Sequence, residues 1–334
     1  MTKDSLPGLA LMTAVAVLSI ALSNSLSAGG KHPLEATALA VIIGILARNA
    51  GIVPPVFHPG LRMFEKLLAV GIVLIGATLN FRDLKSQGGR MLLVILVAMA
   101  VSYVAISMLG RLFGLPPALS ILLSVGTTIC GGTAIAITAP LIKAREEETS
   151  YAIGTITLWG LVAILLYPKL AQALSVGDVA FGVFAGTAIH STPQVVGAGF
   201  IFSDLAGKTA TAVKLIRNCF MAPLAFGIAT WAARTSGPGE DKERRRWGAA
   251  RAFPWFLIGY FLLAGANTAG AFTTAQIDGL SGLGRFVITV SMAGIGLNTS
   301  LRAFKAVGWK PLLVGLLGAI FVAAVSISMI ALVL

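Results

Sequence analysis

Long apolar stretches follow one another from residue 6 to residue 334, and this pattern leaves the chain few ways to fold. Each runs for about 18 to 27 residues, enough to cross or deeply enter a hydrocarbon core about 30 Å thick. Eleven can be delimited, at 6–27, 34–50, 61–81, 90–113, 117–143, 150–172, 178–204, 208–233, 252–270, 281–299 and 309–334. Lys and Arg sit mainly between these stretches, so the net charge of +12 is a topology signal and no nucleic-acid patch. Charged residues make up 11% of the chain, where a soluble domain carries roughly 25%, which excludes a water-soluble enzyme. The expected class is an all-α polytopic membrane protein, one integral domain over 1–334 in contact with the lipid bilayer. The first stretch is long for a signal peptide and lacks a convincing cleavage site, so it reads as a retained helix.

Two stretches differ from the rest. Segments 117–143 and 178–204 are interrupted by Gly126-Thr-Thr-Ile-Cys-Gly-Gly-Thr133 and Gly186-Thr-Ala-Ile-His-Ser-Thr-Pro-Gln194. A broken helix at membrane depth exposes main-chain polar groups, which is tolerated only inside protein or beside a wet cavity. Both segments are therefore expected to be broken or re-entrant hairpins that meet near the midplane.

Internal repeats support this reading. At an offset of 220, 75–96 matches 295–316 at nine of twenty-two positions, including Gly76 with Gly296, Arg82 with Arg302 and Lys85 with Lys305. At an offset of 60, Gly126-Thr-Thr-Ile129 matches Gly186-Thr-Ala-Ile189. Both pairs are inverted if the two broken segments re-enter while the others span, an arrangement transporters build around a central site. It places the basic loop 234–251 in the cytoplasm. A topology with 117–143 spanning and an external N-terminus satisfies the charge rule about equally, and the repeats favour the hairpins.

The acidic residues lie near segment ends or in loops, Glu65 coming closest to membrane depth. Cation pumps usually carry a buried carboxylate, and none is evident here. Lys214 and Arg217, by contrast, fall well inside an apolar segment, on one helical face with Asn218 and Met221. Such charge needs a partner, and an anionic substrate would supply one. Snorkelling and an ion pair with Glu65 are the competing readings. If the anion is the partner, neutralising either cation leaves folding intact and weakens binding.

The breaks supply the other candidates. Helix N-termini at membrane depth suit an oxyanion, with Thr127, Thr128, Cys130, Gly131, Gly132 and Thr133 on one tip and His190, Ser191, Thr192 and Gln194 on the other. Small residues equally serve tight packing. His190 could carry a coupling proton or bond an anion, or it could be a neutral ring fixing the hairpin. Cys130 and Cys219 show no disulfide or metal spacing.

Thr128-Ile-Cys-Gly-Gly-Thr-Ala-Ile-Ala-Ile-Thr-Ala-Pro140, Tyr151-Ala-Ile-Gly-Thr-Ile-Thr-Leu158, the tip holding His190, Gln194-Val-Val-Gly-Ala-Gly199 and Val213-Lys-Leu-Ile-Arg217 together resemble the YeiH-type sulfate exporter family (UPF0324). The likeness covers nearly the whole chain. It implies a multi-pass protein of the bacterial inner membrane, related to inverted-repeat carriers, that exports sulfate, sulfite or a sulfonate. Ser191 after His190 departs from the His-Glu pair of some members, which weakens any carboxylate-based proton coupling.

The expected function is thus secondary transport of a small anion by alternating access. An anion channel, or a proton- or sodium-coupled uptake symporter for an organic anion, are the alternatives. No cofactor is expected, a coupling proton or sodium ion is left open, and so is a homodimer. No metal, protease or nucleotide motif is present. Cysteines introduced into 82–90 and 302–310 should react with impermeant thiol reagents from opposite faces of the membrane; labelling from one face would defeat the hairpin topology.

Overall fold

The computed structural model describes residues 5–26, 35–81, 88–221, 223–224, 226–228, 230, 255–302 and 308–334. The expected basic loop 234–251 lies outside them, as do 82–87 and 303–307 of the expected 75–96 and 295–316 repeat. Among the described residues every regular element is helical. In chain order these are α1 Leu6–Ser25, α2 Ala36–Asn49, α3 His58–Leu61, α4 Phe64–Ile75, α5 Gly88–Leu112, α6 Pro117–Thr128 and α7 Gly132–Leu141. There follow α8 Glu146–Ala173, α9 Asp178–Ala188, α10 Thr192–Phe202, α11 Asp204–Cys219, α12 Trp255–Thr268, α13 Thr274–Asn298 and α14 Trp309–Val333.

Local chemistry sets many of these boundaries. Pro117 opens α6 where a missing N–H costs nothing. Helix α8 begins on Glu146, Glu147 and Glu148, and the Glu148 carboxylate accepts the Arg145 main-chain N–H at 2.8 Å. Thr273 and Gln276 cap α13 in the same reciprocal way.

Helices α1, α5, α8, α13 and α14 are long and apolar enough to cross a membrane. In α5 and α14 the most apolar window averages a hydropathy of 2.6, yet only 28% and 22% of its residues are buried. Their outward faces are therefore hydrocarbon-like, as lipid contact requires. The other apolar helices are shorter, and the eleven-stretch division does not carry over directly. Segments 117–143 and 178–204 are two helices each; 34–50 and 61–81 shorten to helices of 14 and 12 residues. Hydropathy merges helices joined by an apolar residue such as Ile129 or Ile189, because it records composition and not backbone direction.

The chain divides into two compact units. The first comprises Met1–Ser86, Val196–Lys208 and Trp255–Arg302. Helix α13 is its most enclosed span, 61% buried in its apolar window, and packs on α2 and α4. Asn298 ties the end of α13 to the Leu61 carbonyl at 3.0 Å, and Asn49 on α2 donates to the Thr299 carbonyl at 3.0 Å. An amide side chain serves this purpose because it bonds main-chain groups that have left the helical ladder.

The second unit comprises Gln87–Val195, Thr209–Pro254 and Ala303–Leu334. Its core joins Leu119, Leu122 and Leu123 of α6 to Ile135 and Ala139 of α7, Ile156 of α8 and Val314 of α14. The Trp159 indole N–H also reaches the Leu312 carbonyl at 2.8 Å. Residues nine apart in a straight helix are separated by about 13.5 Å along its axis. Here Ile135 Cδ1 stands only 2.7 Å from the place a Gly126 Cβ would take, so α7 turns back along α6. This turn, with the second interruption at 189–191, positions the site.

Candidate functional site: two broken helices and two buried cations

Residues 129–131 separate α6 from α7, and 189–191 separate α9 from α10. At each break a helix C-terminus leaves carbonyl oxygens without intrahelical partners, and a buried carbonyl left bare costs about 1–3 kcal/mol. The first break meets part of this need itself: the Ile129 and Gly131 N–H groups bond the Val125 and Gly126 carbonyls. Next in line are the carbonyls of Thr127, Thr128 and Ile129.

These receive the cations of α11. The Arg217 guanidinium donates from Nε to Thr128 at 2.7 Å and from one terminal nitrogen to Thr127 at 2.5 Å. Its other terminal nitrogen bonds Thr187 at 2.7 Å, Gly186 at 3.0 Å and Ile189 at 3.2 Å. The Lys214 Nζ donates to Ile129 at 2.6 Å, to Ile189 at 3.2 Å and to the His190 carbonyl. Both side chains are buried, at 0% exposure for Lys214 and 1% for Arg217. Among the described residues no carboxylate contacts either.

This revises the partner expected for the buried charge. The donors that were to grip an anion already hold main-chain carbonyls from both breaks, and snorkelling and the Glu65 pair are equally set aside. Carbonyl dipoles at a helix C-terminus carry partial negative charge, so they compensate a cation where no acidic side chain exists. Removing Arg217 would uncover buried carbonyls, so intact folding of an Arg217 variant is no longer expected.

The breaks meet on their N-terminal side. Gly131 has φ +70° and ψ −127°, a conformation essentially reserved for glycine. A Cβ there would also stand 3.0 Å from Ser191 Cβ and 3.3 Å from its Cα. Gly132 faces open space and Thr133 is exposed, whereas Ser191 is half-buried. The first turns of α7 and α10 hold no acidic residue.

The remaining candidates divide by what already occupies them. The Thr128 hydroxyl returns to the Ser124 carbonyl at 2.7 Å, and Cys130 Sγ lies 3.2 Å from Met221 Sδ. Gln194 is committed: its Oε1 accepts the Ser191 N–H and its Nε2 donates to the Thr157 carbonyl, both at 3.2 Å. Thr192 Oγ1 accepts from Asn218 at 3.1 Å. The Thr127 hydroxyl and His190 Nδ1 are buried and have no partner.

Sequence reasoning missed Gly160 and Thr157 of α8, because a packing void and a main-chain carbonyl leave no residue signature. Gly160 admits the Gln194 amide, whose Oε1 stands 1.9 Å from the place a Gly160 Cβ would take. Asn218 had been placed on the cation face without a role; its amide braces the start of α10.

Fold and site together define a polytopic helical membrane protein with two helix breaks in its second unit. The chain belongs to the family described as Conserved hypothetical protein 698, whose model matches residues 7–315. It is 34% identical to UPF0324 membrane protein PA5383 of Pseudomonas aeruginosa, over 93% of this chain and 90% of that protein. It is 32% identical to UPF0324 membrane protein Atu0671 of Agrobacterium fabrum, over 97% and 92%. The family indicated by the motifs and the family matched agree. A solved sodium proton antiporter, MjNhaP1 from Methanocaldococcus jannaschii at pH 8, aligns over 98% of both chains with 12% identity and a TM-score of 0.30.

Two outcomes are expected from substitution. Arg217→Gln should lower the melting temperature sharply, since each carbonyl it uncovers costs about 1–3 kcal/mol. A variant as stable as the parent would show that the carbonyls find other partners. Gly160→Ala should destabilise by about 1–3 kcal/mol through collision with Gln194. In Gly160→Ala/Gln194→Ala the two costs should sum to less than their separate values, because the second change removes the obstacle.

Proposed function

We propose that this chain is a secondary carrier, and not an enzyme, that moves a small anion such as sulfate, sulfite or a sulfonate across the bacterial inner membrane as an exporter. One observation carries the reading: at the junction of the two breaks the negative helix ends are already paired with cations, while the positive ends are not paired with acids. The C-termini of α6 and α9 are covered by Lys214 and Arg217. The N-termini of α7 and α10 meet at Gly131 and Ser191 with no carboxylate in either first turn.

A helix N-terminus presents free N–H groups and about half a positive charge, which suits an oxyanion. Gly132 and Thr133 lie on the accessible side of that junction, so a ligand could approach the amides without displacing packed side chains. On this reading the anion is bound by the Ser191 and Thr133 hydroxyls and by those main-chain amides of the two tips that hold no other partner, the Ser191 N–H being kept by Gln194. Lys214 and Arg217 hold the tips in place and set the positive potential from behind. The two tips act as re-entrant or unwound elements of inverted repeats, and alternating access would expose them to each side in turn.

The test is a thermal-shift screen of purified protein with sulfate, sulfite, thiosulfate, taurine and small carboxylates. A bound anion at 100 times its Kd should stabilise the fold by about 2.7 kcal/mol. In Thr133→Asp a carboxylate enters the first turn of α7, where it should leave stability unchanged or raise it by about 0.3–1 kcal/mol. The same change should weaken anion binding by at least about tenfold, a loss of 1.4 kcal/mol or more. No stabilisation by any anion, or undiminished binding in Thr133→Asp, would overturn the reading.

A further inference from the structure

We propose that the site works as an obligatory exchanger of divalent anions: it changes sides readily when loaded and poorly when empty. The inference rests on the anion-carrier reading above and adds the mode of transport, which follows from counting fixed charge at the breaks.

The surroundings of Lys214 suit an ammonium ion, and the charge count takes it as one. Its Nζ faces the carbonyls of Ile129, Ile189 and His190 as acceptors. A neutral amine has two N–H groups and a lone pair, so one of those oxygens would face the lone pair; three acceptors call for three donors. The Arg217 guanidinium is charged under all ordinary conditions. Its partners are the carbonyls of Thr127, Thr128, Gly186, Thr187 and Ile189, which are neutral groups.

Carbonyl dipoles lower the cost of burying two cations without cancelling their charge. The helix ends do not cancel it either. Two C-termini at about −0.5 each and two N-termini at about +0.5 each sum to zero over the junction. With no carboxylate in contact among the described residues, the empty site therefore carries close to two positive charges. A divalent oxyanion at the two N-termini brings the total to zero.

Carrying net charge through a low-dielectric layer is costly, and neutral cargo largely avoids that cost. The loaded site thus reorients faster than the empty one. A carrier in that condition returns only after binding an anion on the far side, which makes it an exchanger. The potential acts on the empty return alone, since only that step moves net charge across the field.

The experiment uses the full chain in liposomes loaded with radiolabelled sulfate, with sulfite and thiosulfate in parallel. Efflux is compared in chloride medium with and without unlabelled external sulfate, at zero and at inside-negative potential. External sulfate should accelerate efflux by at least about tenfold, and that exchange should not respond to potential. The slow net efflux should rise when the interior is negative, because the empty return then carries positive charge inward along the field. Net efflux as fast as exchange, or exchange as voltage-sensitive as net efflux, would overturn the proposal while leaving an anion carrier. Flux linear in concentration without acceleration by external anion would indicate a channel and overturn it too. If no tested anion moves by either mode and none stabilises the protein, the carrier reading fails and exchange falls with it.

Discussion

The junction in the second unit depends on donation from two cations of one helix to main-chain oxygens of two others. A helix that stops inside a membrane protein exposes several carbonyls at once, and hydrocarbon offers them no water. Lys and Arg are suited to this need because together they bring eight N–H donors and no acceptors. Three residues apart on α11, they present those donors on one face, so a single helix satisfies both breaks. The arrangement also explains how two charges can be almost fully buried beside each other with no carboxylate in contact among the described residues.

Around this clamp, other side chains remove freedom from the breaks. Gln194 bridges Ser191 to α8, Asn218 holds Thr192, and Gly131 and Gly160 supply the space that backbone and amide require. These polar groups are spent on geometry. At the junction the first turns of α7 and α10 hold no acidic residue, and small residues stand in front of them. A site of that kind recognises charge and size more than side-chain pattern, since amides aimed at one point discriminate little among compact oxyanions.

Much of this was legible in the sequence, and the gaps have physical causes. Apolar length announced a membrane protein, and the Gly-Thr and His-Ser-Thr-Pro runs marked the places where helices stop. The depth of Lys214 and Arg217 was visible from position alone. Their partners were not, because carbonyls belong to every residue and no letter records which of them lies at a helix end. The inference from missing carboxylates to a bound anion treated side chains as the only source of compensating charge, whereas main-chain carbonyls also surround both cations. Gly160 stayed hidden for a related reason: its role is the room it leaves for a side chain 34 residues away.

On the proposed reading the residues first taken as ligands act one layer behind the anion, and this changes how charge would bear on function. A cation that contacts the anion directly would contribute through distance and geometry, and would be replaceable by another donor. A cation that stays locked to carbonyls would contribute a fixed potential whether or not substrate is present. Fixed potential favours binding of an anion and penalises the empty site, and one term cannot be raised without the other. For an anion carrier of the proposed kind, net transport and tight charge-based binding would therefore oppose each other. Exchange, as proposed, is the mode in which the second term would matter least, because the site would never have to cross uncompensated.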